Sequence, residues 1–515
     1  MDRLKHGTSG RKDFGARLGM ALMIVLCAMA VSVARAENPV IPGDHPDPSI
    51  IRVGATYWMT STSGDWSPQF VLYRSDDLQH WKSAGAVFPH QPEWASGSFW
   101  APEIVSDGGR VLVYYVGRKR GGGPLCVAVA TAARPEGPYT DHGPIVCQQD
   151  GSIDPAFARD EHGKPYLIWK EDGNSQRKPT PIWAQPLTDD LVHLTGEKTQ
   201  LIVNDPASWE GGVVEAPYVM RHAGYFYMFY AGNACCGTQC NYAEGVARSR
   251  HLLGPWEKDP ANPIIRPNGV WRCPGHGSAV ETPKGQDYFL YHAYPVKGTI
   301  YLGRESVLDR ITWGANGWPM VNGGHGPSGE TQTMQFAPIT DNFVGKSLDA
   351  EWRWPVNREP KAIVGNGGLT LTVAADGRKD FVARSLEAPD YVAEVTVATR
   401  GATGSLAVIG NAKHAIGLGK KGDALDLWRE DEGGHRTLWH GSSGSAAAVR
   451  LRVTSSDGGT KLAFAYSADG KQWKPAGEAI DVSKLPQWDQ GLRVGLVVNG
   501  AAGEAATFSH FVMKP

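Results

Sequence analysis

Five short stretches of this chain begin on side chains that could share one reaction: DPSII (47–51), WAPEI (100–104), DPAFA (154–158), EAPYV (215–219) and HGSAV (276–280). Three begin on carboxylates, Asp47, Asp154 and Glu215, and the others on Trp100 and His276. Glu215 stands among Val213, Val214, Ala216 and Val219. A carboxylate in such surroundings must find a partner, take up a proton or face a wet cavity. Hydrolysis of a glycosidic bond needs two carboxyl groups, one protonated to donate to the leaving oxygen, the other ionised to activate water or attack the sugar. On this reading Glu215, bordered by apolar residues, is the acid with the raised pKa, and Asp47, in the turn-rich HPDPSI, stays ionised. Asp154 would orient Glu215 and hold its pKa up by like-charge repulsion. Trp100 offers an apolar platform for a sugar face. Taken singly, an Asp-Pro dipeptide serves equally well as a strand-turn cap.

A repeat brings the five stretches together. GATYWMTST (54–62), GRVLVYYVG (109–117), GKPYLIWKE (163–171), GYFYMFYAG (224–232) and GQDYFLYHA (285–293) each read as a turn glycine followed by an aromatic strand. The leading glycines lie 55, 54, 61 and 61 residues apart, a period that suits propeller blades of four short strands. Counting back nine residues from each glycine reaches Trp100, Asp154, Glu215 and His276; in the first repeat Asp47 sits seven before Gly54. The spacing therefore predicts one shared register position per blade, aimed into a central channel. The fold class expected is all-β: a five-bladed β-propeller over 37–325, a linker over 326–340 and a β-sandwich over 341–515.

Composition agrees with many short strands. The chain has 515 residues, 41% hydrophobic and 20% charged, with 18 Trp, 17 Tyr, 63 Gly and 35 Pro, and aromatics with turn formers favour strands and tight turns. Residues 1–36 read as a secretory signal peptide: a basic start, the apolar run ALMIVLCAMAVSVA (21–34), then Ala34-Arg35-Ala36. A secreted or periplasmic location follows as an expectation, with no membrane partner after cleavage. Removing 1–36 leaves 45 basic and 51 acidic side chains, a formal charge of −6. No basic cluster suggests nucleic acid, and a mildly acidic exported protein fits a neutral substrate. Six cysteines remain, Cys126, Cys147, Cys235, Cys236, Cys240 and Cys273. One or two disulfides are expected, with the pairing open; CCGTQC (235–240) could alternatively bind a metal, although it lacks a paired CxxC.

The motifs NPVIPGDHPDPSIIR (38–52), FWAPEIV (99–105), SIDPAF (152–157), VVEAPYV (213–219), GHGSAV (275–280) and YLGRESVLDRITWGANGWP (301–319) resemble glycoside hydrolase family 43. The resemblance implies that Asp47 is the general base, Asp154 the residue that tunes pKa and orients the acid, and Glu215 the general acid. It implies inversion, a single displacement by water. It also implies that Arg304 contacts sugar hydroxyls, although an ion pair with Glu305 or another acid would explain that arginine as well. In many relatives the histidine matching His276 faces a bound structural calcium, often through water, since calcium prefers oxygen ligands; a channel histidine bonded only to water is the alternative, and the chemistry itself needs no cofactor. Invertase-like propellers differ in both acid motifs.

From 341 the chain alternates through LTLTVAA, YVAEVTVATR, VRLRVTSS and LRVGLVVNG, which reads as a β-sandwich and resembles the concanavalin-like accessory domain of many family 43 enzymes. Such a domain could bind carbohydrate, close one side of the active site or only stabilise the propeller. The function expected is an inverting glycosidase on arabinose- or xylose-containing plant polysaccharides or oligosaccharides, most simply an exo-acting arabinofuranosidase or β-xylosidase. Endo-arabinanase is the enzymatic alternative, and a non-catalytic carbohydrate-binding propeller the alternative of another class. The oligomeric state is not legible in the sequence.

Overall fold

The five glycine-led aromatic runs are the second strands of five four-stranded antiparallel sheets, as seen in a computed structural model that describes residues 38–297, 299–329, 337–486 and 489–515. Each sheet is a meander running in chain order. The first strands are Ser49–Val53, Trp100–Asp107, Ser152–Arg159, Val214–His222 and Trp271–Glu281. The leading glycines 54, 109, 163, 224 and 285 lie in the turns to the second strands with φ between 63° and 83°, a region where a side chain is strained. The signal segment expected over 1–36 falls outside the described residues, and among those residues no helix is long and apolar enough to cross a membrane.

The aromatic runs are apolar on both faces because both faces are covered. In Tyr225–Gly232 every residue after Tyr225 is buried. Phe226, Met228 and Tyr230 pack toward the third sheet with Ile168 and Ala184, whereas Tyr227 and Phe229 meet Phe289 and Tyr291 of the fifth. The strand alternates sides as any strand does, but each side meets a neighbouring blade. First strands neighbour one another in order, and the fifth returns to the first, where the Ile50 N–H donates to Ser278 Oγ at 2.9 Å. The start of the described chain adds to this closure. Val40 N–H donates to Ser306 O at 2.9 Å and Leu308 N–H to Asn38 Oδ1 at 2.8 Å, so residues 38–41 run along the fifth sheet before the first begins.

The last propeller strand is Pro319–Val321, and Ile339–Asp341 is the first strand of the following domain. Residue 328, placed in the expected linker, still packs on the propeller: Asn38 Nδ2 donates to Ser328 Oγ at 2.8 Å. Residues 330–336 of that linker lie outside the described residues. The C-terminal domain is a sandwich of a nine-stranded and a six-stranded sheet around Trp352, Leu371, Val395, Leu406, Leu451 and Phe508.

The two domains share a buried contact. Trp66 of the first blade, 4% exposed, lies against Phe381, Ala383, Ile409 and Trp428 of the sandwich. Its Nε1 donates to Gln490 Oε1 at 2.9 Å, and the Arg493 guanidinium sits 4.6 Å from its ring. Arg493 in turn pairs with Asp44 of the propeller at 3.4 Å. Trp66→Ala should cost about 3–5 kcal/mol, the usual range for deleting a buried tryptophan side chain. Calorimetry should show this as a lowered unfolding transition for both domains together; an unchanged thermogram would mean that the domains do not depend on this contact.

Candidate active site

A pocket of about 210 Å³ opens at the first strands, and Asp47, Trp100, Asp154, Glu215, His276 and Arg304 all line it. The residues singled out in the sequence therefore meet in one place, but not through one shared register position. Asp47, Asp154 and His276 have left-handed backbone, with φ of 53°, 54° and 51°. In the second and fourth sheets the left-handed residue is Ala101 (φ 40°) or Ala216 (φ 57°), so Trp100 and Glu215 stand one place earlier. Strand pairing skips two residues at this point, from Trp100 to Glu103, from Ile153 to Ala156 and from Glu215 to Tyr218. The expected register is thus corrected by one residue, and in four of the five sheets a proline marks the place. Pro48, Pro102, Pro155 and Pro217 each follow the left-handed residue directly. Proline has no N–H for the ladder, so pairing is interrupted there. Aligning the prolines instead of counting from the glycines would have placed Asp47, Trp100, Asp154 and Glu215 correctly, whereas His276 is followed by Gly277 and has no such marker.

Each bulge frees an amide, and buried side chains take up four of them. The N–H of Asp47 donates to His292 Nδ1 at 3.1 Å, that of Ala101 to Thr62 Oγ1 at 2.6 Å, that of Ala216 to Asp154 Oδ2 at 2.9 Å and that of His276 to Glu244 Oε2 at 2.9 Å. The Thr62 hydroxyl passes the connection on, donating to Asp47 Oδ2 at 2.7 Å.

The electrostatics sort the three carboxylates. Burial pushes Asp47 upward, but Arg304, with Nη1 3.0 Å away, and then His276 hold it well below the usual range. Asp47 is therefore ionised, as expected, and Arg304 pairs with it and not with Glu305, whose Oε1 accepts the Gly43 N–H at 3.0 Å. Glu215 departs from expectation. Val214 beside it points to the opposite face, into the core with Ile168 and Phe226, so neighbours in sequence are not neighbours in space. Lys170 Nζ donates to Glu215 Oε2 at 2.7 Å and the Tyr242 hydroxyl to Oε1 at 2.8 Å. Burial raises the Glu215 pKa, but the Lys170 ammonium and these two hydrogen bonds outweigh it and leave the group below its ordinary value. Asp154 carries the raised pKa instead: burial and the like charge of Glu215, against a pull from His276, push it up to about 7. Two carboxyls so closely coupled titrate as a pair.

Lys170 and His292 were not found from the sequence, although both lie seven residues after a leading glycine, Gly163 and Gly285. That position of the second strand abuts the bulge of the first. A lysine with 1% side-chain exposure is tolerable only when paired, and Lys170 also meets Asp172 and Asn174 at 2.9 Å. The sandwich adds Asp489 to the pocket wall, its carboxyl raised to about 6 by burial. All six cysteines are paired, as Cys126–Cys147, Cys235–Cys236 and Cys240–Cys273; this is one bridge more than expected, and CCGTQC is oxidised instead of free to ligate metal. His276 Nδ1 lies 3.4 Å from Asp47 Oδ1, but among the described residues no three His, Cys, Asp or Glu side chains are arranged to hold an ion. A larger hollow of about 500 Å³, beside Asp259, Arg266, Trp318 and Met320, brings together none of the residues singled out from the sequence.

This constellation can be compared with known proteins. Residues 36–319 match Glycosyl hydrolases family 43, and residues 340–514 match the Beta xylosidase C-terminal Concanavalin A-like domain. The chain belongs to glycosyl hydrolase family 43. A xylosidase/arabinosidase of Humicola insolens is 29% identical over 315 residues, 57% of this chain and 56% of that one, so the match spans little more than half of that relative's length. A non-reducing end alpha-L-arabinofuranosidase of Bacteroides ovatus is 26% identical over 412 residues, 73% and 74% of the two chains. The crystal structure of a family 43 protein of Bacillus licheniformis, 25% identical, superposes with a TM-score of 0.78 over 93% of this chain and 99% of that one.

The raised Asp154 has a consequence for stability. Its folded pKa, about 7, exceeds the unfolded value of about 3.9, so the native family 43 site binds the proton more tightly. Stability then falls as pH rises from about 4 to about 7. Asp154→Asn keeps an oxygen for the Ala216 N–H and has no proton to lose. Relative to wild type it should gain on the order of 2–4 kcal/mol between pH 4 and pH 8, measured by denaturant unfolding at both values. A difference independent of pH would contradict the raised pKa.

Proposed function

We propose that this chain is an exported inverting glycoside hydrolase that removes single arabinofuranose or xylose units from the ends of plant-type polysaccharides or oligosaccharides. The observation that carries the reading is the division of charge in the pocket: Asp47 is held ionised by Arg304, while the Asp154–Glu215 pair retains a proton near neutrality. In the reaction, water attacks the anomeric carbon from the Asp47 side and gives Asp47 its proton. Glu215 passes to the leaving oxygen the proton that it shares with Asp154, as the bond between that oxygen and the anomeric carbon breaks. Asp154 is the proton store and orients the strand of Glu215 through the Ala216 amide. Trp100 and Arg304 contact the sugar bound between the carboxyls. The mechanism uses side chains and water alone, and no ion takes a step in it. Asp489, reaching the pocket from the sandwich, supports exo action, because a wall there stops a polymer from running through; an endo-arabinanase needs an open cleft. Three disulfides support an oxidising, secreted or periplasmic location.

A second reading has an observation behind it: Asp154, with the raised pKa, is itself the donor. Leaving-group dependence separates the two, because a 2,4-dinitrophenolate departs without a proton whereas a sugar does not. Glu215→Gln should lose about 10²–10⁴-fold on the natural oligosaccharide and far less on the dinitrophenyl glycoside, while Asp47→Asn loses on both. If Asp154→Asn shows the forgiving pattern and Glu215→Gln does not, the donor is Asp154. A wild type that binds but cleaves neither substrate would mean a carbohydrate-binding propeller.

A further inference from the structure

The segment NACCGTQCNY (233–242) joins the second and third strands of the fourth sheet and begins two residues after Ala231, the ladder partner of Glu215. Cys235 and Cys236, adjacent in sequence, are bridged to one another and line the pocket with Glu215 and Tyr242. Both are only half-buried, so their sulfur surface is not closed into the core. The segment does not need this bridge to hold its shape. Cys240–Cys273 ties it to the first strand of the fifth sheet. The Gly237 N–H donates to the Tyr294 hydroxyl at 3.2 Å, and the Asn241 N–H to Ala234 O at 3.0 Å. A disulfide stabilises chiefly by closing a loop of the unfolded chain, more so for longer loops, and a bridge between neighbouring residues closes almost none.

What such a bridge does supply is surface. Joining the two sulfurs removes both thiol protons and the freedom of both side chains, leaving a rigid, polarizable, apolar patch. Through Cys235 it packs against Ala216, Ala231, Tyr242 and Tyr294 on one side, and on the other it shares the pocket with the charged groups Asp154, Lys170, Glu215 and Arg304. It also lies on the side of Glu215, the group that protonates the leaving oxygen in the function proposed above, on which this inference rests. The sugar carrying that oxygen must therefore come to rest beside it. We propose that the Cys235–Cys236 disulfide is the platform for the leaving-group sugar, contacting its C–H face and setting preference for a saccharide over a smaller leaving group.

The test compares two substrates of whichever glycose the wild type releases: its disaccharide, which has a leaving sugar, and its glycosyl fluoride, which has none. Peptide mapping of the wild type should find the 235–236 bridge; free thiols there would overturn the proposal. Replacing Cys235→Ser together with Cys236→Ser should raise KM for the disaccharide about tenfold, in line with the loss of one small apolar contact. The kcat/KM for the fluoride should stay within about twofold of wild type. Cys235→Val with Cys236→Val, which restores apolar surface without the bridge, should recover most of the disaccharide KM. Equal losses on both substrates would identify the bridge as a structural brace and overturn the platform, as would an unchanged disaccharide KM. A wild type that cleaves neither substrate would instead overturn the hydrolase reading, and this is seen before any variant is made.

Discussion

A left-handed residue at the start of each inner strand is the constraint on which the rest of the site depends. A side chain in that conformation is costly, on the order of 1–3 kcal/mol each, and the strands around the pocket carry it at Asp47, Ala101, Asp154, Ala216 and His276. In four of the five a proline follows and removes any ladder hydrogen bond that could hold the strand straight. The bulge turns both its own side chain and the one before it toward the pocket. The strain is offset where freed amides find buried acceptors, and Asp154 is one of those acceptors. Scaffold and chemistry therefore share a residue: Asp154 fixes the strand of Glu215 and the proton balance of Glu215 together.

The buried charges follow from the same arrangement. Second-strand residues Lys170 and His292 abut the bulges, and one supplies the cation that Glu215 needs while the other accepts the amide of Asp47. Arg304, on the run into the third strand of the fifth sheet, neutralises Asp47. Buried carboxylates are tolerable only with such partners, and the partners are distributed unequally. Asp47 meets one guanidinium and two imidazoles, whereas Asp154 and Glu215 contend for one ammonium. That inequality is what separates an ionised group from a protonated pair within a single pocket.

Much of this was legible in the sequence, for physical reasons that particular residues show. The glycine-led aromatic strands revealed five sheets because both faces of each second strand are buried, as in Tyr225–Gly232. Asp47, Asp154 and Glu215 were recognisable because a proline marks the bulge directly after them or one residue beyond. Lys170 was not, since its partner Glu215 is 45 residues away and only the closed ring brings the two together. For the same reason the pKa of Glu215 was misjudged from its sequence neighbours, of which Val214 and Val219 pack into the core away from the pocket. Asp489 lies in a separate domain, and nothing in its local sequence points back to the propeller. CCGTQC was recognised as unusual, but its pairing depends on Cys273, 33 residues onward in the next sheet.

The central claim is that Asp47 activates water across the sugar from a proton donated on the Glu215 side, in one displacement. Proton NMR of the first-formed sugar, recorded on a substrate of defined anomer before mutarotation, tests it most directly. The account predicts the opposite anomer from that of the substrate. Release of the same anomer would mean a covalent glycosyl intermediate, and would contradict the roles assigned to all three carboxylates.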